Sequence, residues 1–156
     1  MKKRSAASSG ASPEAPVVIF VDRSVGRLYV PRALRAAGAT VITHDERFPE
    51  ENTPDAVWLA EAGASGWVVV TRDSAIRHKP NEWQALMEHG VLAVVVTARN
   101  VTGPRIADLL VHALPRILEI AQTTARPAIF RLNSSGKPEP MELGARPQAG
   151  SRVRRQ

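Results

Sequence analysis

Five short apolar runs, each followed by a stretch of different periodicity, constrain the fold of this chain more than any other feature. VVIFV at 17–21 is continuous and rich in β-branched and aromatic side chains, as in a strand buried on both faces. Val41–Thr43, Trp67–Thr71, Val91–Val96 and Ala128–Leu132 are four further strand candidates. Helix signals lie between them. Leu28–Ala37 sets Leu28, Leu34 and Ala37 among basic residues and stops at Gly38. Thr53-Pro54-Asp55 predicts a helix start, with Thr53 as cap, Pro54 at the first helical position and Asp55 near the positive end of the dipole. Asn81 and Gln84 form a candidate capping box for a helix through His89, closed by Gly90. Thr102 opens a long apolar-striped helix to about Gln122, which Pro115 is expected to break or kink. His44–Asn52 reads as a polar loop.

Strands and helices alternating in short units predict an α/β fold, a three-layer α/β/α domain with a mostly parallel sheet. Right-handed crossovers then bring the C-terminal ends of the strands to one edge of the sheet, where ligands of such folds gather. Two of those strands end alike, in FVDRS and VVTRDS, so Asp22 and Asp73 fall on the same edge. On neighbouring strands, ~4.8 Å apart, their carboxylates can reach one cation.

Composition narrows the chemistry. The 156 residues suit one domain and contain no cysteine, which removes disulfides and thiolate catalysis. No apolar run approaches the ~20 residues of a membrane span. MKKR at the N-terminus is followed by SAASSGASPEAP, which lacks the apolar core of a signal peptide, so a soluble cytoplasmic protein is expected. The net charge is +6, but residues 1–15 carry +2 and residues 137–156 carry +3, which leaves +1 for 16–136. The basicity therefore belongs mainly to the ends, as nonspecific phosphate attraction or as solvated tails. The expected organisation is a disordered tail over 1–15, one domain over 16–133, and a basic, disordered tail over 134–156.

The acids each have a bland reading. Asp22 could simply end a strand, Asp73 could cap a helix, and Asp55 stabilises a first helical turn without any ligand. Asp45, at the close of the second strand, could be a loop acid, and Glu61 reads as a solvated helix residue. Their shared edge gives them weight together. Oxygen ligands without cysteine suit a hard cation, Mg²⁺ or Mn²⁺, better than zinc, and His44, His78, His89 and His112 show no metal spacing. The chain has no GxGxxG, GxxxxGK[ST] or GxSxG motif, so dinucleotide, P-loop and serine-elbow chemistries lose their support. A carboxylate-bound metal acting on a phosphate ester remains.

FVDRS, LRAAGATVITHDERF and TPDAVWLAEAGASGWVVVTRD together resemble the PIN-domain nucleases, in particular the compact PIN-like branch that includes VapC-type toxins. The resemblance covers roughly residues 17–131. It rests on the strand-ending Asp22, the Gly38–Val41 return to a second strand, the D-x-x-x-L-A helix start at Asp55–Ala60, and T-x-D at Thr71–Asp73. It implies a sheet of four to five parallel strands and an endoribonuclease dependent on Mg²⁺ or Mn²⁺. Asp22, Asp55 and Asp73 match the family's catalytic, metal-binding acids, and Asp45 matches an acid near the second strand of compact members. Where many members carry another acid soon after T-x-D, this chain has Ser74, Ala75 and Ile76, with Asn100 as an alternative oxygen ligand. That departure leaves one metal ion or two open.

Arg23, Arg72, Arg77 and Lys79 are the expected contacts to RNA phosphates, against the plainer reading that they neutralise the acids or face water. Trp67 and Trp83 read as core. The resemblance implies an RNA substrate and a protein antitoxin in a type II toxin–antitoxin system. A non-toxin RNA-processing nuclease, or a catalytically silent PIN-like module binding RNA or protein, are the alternatives. The apolar stretch Ile106–Ile120 serves either the core or a contact with an antitoxin or a second copy in a homodimer.

Overall fold

The computed structural model describes residues 16–50 and 52–147. The N-terminal tail over 1–15 and the basic Arg152, Arg154 and Arg155 lie outside the described residues. The strands are β1 (Val18–Val21), β2 (Thr40–Thr43), β3 (Val68–Thr71), β4 (Leu92–Val96), β5 (Ala128–Leu132) and β6 (Pro138–Met141). The helices are α1 (Tyr29–Ala36), α2 (His44–Arg47), α3 (Asp55–Ser65), α4 (Pro80–His89) and α5 (Gly103–Thr123). One sheet runs in the order β2-β1-β3-β4-β5-β6, parallel throughout except that β6 is antiparallel to β5.

The continuous apolar runs are explained by burial on both faces. Ile19 and Val21 of β1, Val68 and Val70 of β3, and Leu92, Val94 and Val96 of β4 pack with α1 and α5. The alternate residues Phe20, Val69, Ala93 and Val95 pack with α3 and α4 on the other side. The three-layer α/β/α arrangement follows directly. Among the described residues no helix is long and apolar enough to cross a membrane.

The strand order carries the functional consequence. From β1 the chain first crosses to β2 on one side, and β3 then lies on the other side of β1. The order reverses between β1 and β3, and the crevice beyond the C-terminal ends of those two strands is where such sheets bind ligands. Asp22 follows β1 and Asp73 follows β3.

Several expectations need correction. The five parallel strands β1–β5 are as expected, but an antiparallel sixth strand, β6, joins them from inside the 134–156 segment read as a disordered tail. Its composition, Pro-Glu-Pro-Met, argues against a central strand but suits an edge, where a missing N–H costs no ladder bond. Asn133–Gly136 makes the turn, with Gly136 at φ 79° against the His112 ring and its N–H donating to the Asn133 carbonyl at 3.0 Å. Arg131 pairs with Glu139 across the hairpin at 3.1 Å. Met141 and Leu143 then pack onto the α3–α4 side of the core.

Pro115 does not break α5, which is continuous over Gly103–Thr123. It sits on the exposed face, where water can serve the carbonyl that loses its helical donor. Ile106, Leu109, Leu110, Leu114, Ile117 and Ile120 are all buried in the chain's own core, which accounts for the apolar stretch. Thr102 caps α5 as expected, its hydroxyl accepting from the Arg105 N–H.

Helix starts moved by one or two residues. Pro54 rather than Thr53 caps α3, and α4 starts at Pro80 with Lys79 as cap, so no Asn81–Gln84 box forms. The segment read as a polar loop begins with α2, held by a complete capping box between Thr43 and Glu46. T-x-x-E was present in the sequence as its signature.

Candidate active site

The two strand-end motifs meet at the switch point through hydroxyl groups. The Thr71 Oγ1 donates to Asp22 Oδ2 at 2.8 Å and accepts from the Asp73 N–H at 3.0 Å. The Ser24 hydroxyl donates to the same Asp22 oxygen at 2.6 Å and accepts from the Arg72 N–H at 2.9 Å. The Asp22 N–H in turn donates to the Val70 carbonyl at 3.0 Å, which extends the β1–β3 pairing to the acid itself. One threonine hydroxyl thus ties Asp22 to Asp73, and both lie on the rim expected of them.

A second pair of acids arrives from the helices. Asp55 is the first residue of α3 and Glu82 lies in the first turn of α4. The two helices pack side by side, closely enough near their ends that a side chain at Gly63 would collide with His89. Carboxylate oxygens of Asp55, Asp73 and Glu82 all lie within 4.8 Å of one another. Asp55 is oriented by the buried Trp58, whose Nε1 donates to its Oδ1 at 3.0 Å. Asp73 Oδ1 accepts from the Ala75 N–H at 3.0 Å.

Glu82 is the residue that sequence reasoning missed. Its place beside Asp55 and Asp73 depends on α4 packing against α3, a long-range contact that no local signal carries. Pro80, a favoured first helical residue, marks the start of α4 two residues ahead of the expected one. Burial pushes the Glu82 carboxyl up to about 7, with the charges of Asp55 and Asp73 adding to the rise and the Lys79 ammonium opposing it. Its Oε1 is buried without a hydrogen-bond partner; the Lys79 Nζ at 3.7 Å is an ion-pair contact, too long for a hydrogen bond.

The other expected site residues are placed differently. Asp22 stays outside the three-acid group, one hydroxyl away from Asp73. Asp45, carried on α2, pairs with Arg23 Nε at 2.6 Å and Arg27 Nε at 3.1 Å. Arg23 also donates to the carbonyls of Phe48 and Glu50, so it pins the α2 segment against the end of β1. Arg72 donates to the Ala98 carbonyl and Arg77 to the Glu142 carbonyl, both as fasteners of loop backbone. Asn100 is exposed at φ 56° in the loop before α5 and makes none of the hydrogen bonds that link the acids. Lys79 does reach the cluster, donating to Asp73 Oδ2 at 3.2 Å.

His44 forms part of the wall behind the acids. It is 4% exposed, packed among Phe20, Phe48 and Trp58, and its Nδ1 has no partner. Burial, with the nearby Arg23 charge, holds its pKa below the ordinary imidazole value, which keeps it neutral. Trp67, stacked on Phe20 with centroids 5.5 Å apart, is core as expected.

This donor set fits a hard divalent cation. It is made of carboxylate oxygens alone, and the buried Glu82 Oε1 makes no hydrogen bond within the protein, which leaves it able to ligate.

Comparison with known proteins agrees with the geometry. A family model described as a PIN like domain matches residues 17–98. A relative from Mycobacterium tuberculosis (strain ATCC 25618 / H37Rv), named "Putative ribonuclease VapC45", is 28% identical over 120 residues, covering 75% of this chain and 86% of that protein. No solved structure matches the chain. The family match takes in more than half of the sequence and every acid of the site, and the chain belongs to the PIN-like domain family.

Proposed function

We propose that this protein is a metal-dependent endoribonuclease that cuts RNA phosphodiesters, acting in the cytoplasm as the toxin of a type II toxin–antitoxin pair. The observation that carries this reading is the convergence of Asp55, Asp73 and Glu82 at the switch point of a PIN-like sheet. The similarity to a protein named as a ribonuclease supports RNA as the substrate, and the VapC-type resemblance supports a protein antitoxin as the partner.

Asp55, Asp73 and Glu82 would hold Mg²⁺ or Mn²⁺, with Asp22 available from the adjoining strand end. When bound, such an ion polarises a phosphoryl oxygen and acidifies a water molecule for in-line attack. The chain's own residues set the stage for that chemistry. Trp58 and the Ala75 N–H fix the orientation of Asp55 and Asp73, so those carboxylates need little reorganisation when they bind. Thr71 and Ser24 hold Asp22 beside Asp73 in the same way. Burial and the charges of Asp55 and Asp73 disfavour the ionised form of Glu82, and a bound cation would offset that cost and favour the carboxylate. Arg72 and Arg77 fasten loops close to the rim, and their positive charges would favour the phosphates of a bound strand there.

The test is incubation of purified protein with total RNA and mapping of the cut ends. Cleavage is expected with Mg²⁺ or Mn²⁺ and not in chelator. Asp73→Asn is expected to lower it at least about a hundredfold, since even groups that only orient metal ligands cost 10–100-fold when removed. Equal cleavage by Asp73→Asn and the parent would refute the metal-dependent reading. In cells, growth arrest by the parent and not by Asp73→Asn is the corresponding expectation for a toxin.

A further inference from the structure

The ammonium of Lys79 stands where a positive ligand of the acids belongs. It donates to Asp73 Oδ2 at 3.2 Å and lies 3.7 Å from Glu82 Oε1. The negative charge of Asp55 acts on it as well; burial alone would lower its pKa, but its bond to Asp73 and the charges of Glu82, Asp73 and Asp55 outweigh this and raise it. Among the described residues Lys79 pairs with both Asp73 and Glu82, while Arg72 and Arg77 fasten loops.

The backbone of Lys79 is fixed independently of that contact. It is the cap residue of α4, its carbonyl accepts from the Trp83 N–H at 2.7 Å, and Pro80 follows at the first helical position. The side chain is 46% exposed. Its flexible four-carbon stem can carry the ammonium out of the cluster while the helix start stays in place. The ammonium takes up acceptor capacity of Asp73 Oδ2 and screens the charge at the Asp73–Glu82 edge, so a divalent ion approaching that edge competes with it.

We propose that Lys79 is an internal counter-cation: it occupies the Asp73–Glu82 edge of the site in the metal-free protein, competes with the divalent ion, and engages an RNA phosphate once displaced. This rests on the endoribonuclease reading of the same carboxylates and adds a control on metal entry. The competition is a modest one, because a half-exposed ion pair is weak. Its use is to keep three clustered carboxylates from repelling one another before the ion arrives, and to deliver a positive charge to the substrate afterwards.

Mn²⁺ titration of the full-length, metal-free protein by calorimetry tests the first half. Lys79→Met is expected to bind Mn²⁺ roughly two- to fivefold more tightly than the parent, the gain from deleting one weak competing ion pair. Lys79→Arg, which keeps the charge, is expected to stay near the parent value. Kinetics at saturating Mn²⁺ test the second half: KM for a short single-stranded RNA rises in Lys79→Met, and its log–log salt slope becomes shallower by about 0.7. Mn²⁺ binding by Lys79→Met no tighter than the parent's overturns the counter-cation, and an unchanged KM with an unchanged salt slope overturns the phosphate contact. In both cases a parent that binds Mn²⁺ and cuts RNA leaves the endoribonuclease reading intact. A parent that neither binds Mn²⁺ nor cuts RNA refutes that reading and the counter-cation with it.

Discussion

Replacing Glu82 by glutamine is expected to stabilise the metal-free protein at mildly alkaline pH by about 1–3 kcal/mol while abolishing metal-dependent RNA cleavage. The two effects have one cause. The folded protein holds the Glu82 carboxyl at about 7, well above its ordinary value of 4.5, chiefly because the group is buried and secondly because Asp55 and Asp73 repel its charge. Between those two values the folded state binds a proton that the unfolded chain has released. Stability therefore falls as pH rises through that window, and above it the full cost remains. Glutamine keeps the shape and cannot ionise, so the slope disappears and the loss is recovered. Denaturant melts from pH 4 to 9, parent against variant, would show converging stabilities at the acid end and a gap at the alkaline end. Adding Mn²⁺ should stabilise the parent and leave the variant almost unmoved, because a ligand stabilises only the fold that binds it. A glutamine variant less stable than the parent at alkaline pH would assign Glu82 a structural role instead.

Trp58→Ala is expected to cost about 3–5 kcal/mol, the range for deleting a large buried aromatic side chain. Trp58 is 1% exposed and stacks on Phe20 with ring centroids 5.4 Å apart. For a chain of this size that loss lowers the melting temperature by roughly 10 °C or more. The same side chain orients Asp55, so packing and positioning must be separated. Trp58→Phe retains most of the apolar volume and deletes only the indole N–H that Asp55 accepts. It should melt close to the parent and bind Mn²⁺ about 10–100-fold more weakly, as other groups that orient metal ligands do. Unchanged Mn²⁺ affinity in the phenylalanine variant would mean that Asp55 needs no such support.

The strands and the strand-end acids were legible because they depend on local, repetitive signals. A continuous apolar run can only be a strand covered on both sides when helical segments flank it, and VVIFV and WVVVT leave little other choice. The shared edge of Asp22 and Asp73 followed from topology alone, since a parallel sheet aligns all its C-terminal ends. What stayed hidden depends on long-range contacts. Glu82 joined the site because α4 packs against α3 and brings its first turn beside Asp55 and Asp73, a contact between segments far apart in sequence. Asp45 left it because Arg23 and Arg27, far from it in sequence, claim its two oxygens. β6 escaped notice because two prolines in four residues mask an edge strand, and its neighbour in the sheet, β5, decides whether it forms. No propensity rule sees that partner.

Diffraction from crystals soaked in Mn²⁺, collected at a wavelength where manganese scatters anomalously, tests the site most directly. The account predicts one strong anomalous peak between Asp55, Asp73 and Glu82, with the Lys79 ammonium withdrawn from Asp73. No peak at the three carboxylates in crystals of the parent saturated with Mn²⁺, or a peak at Asp45 instead, would contradict it.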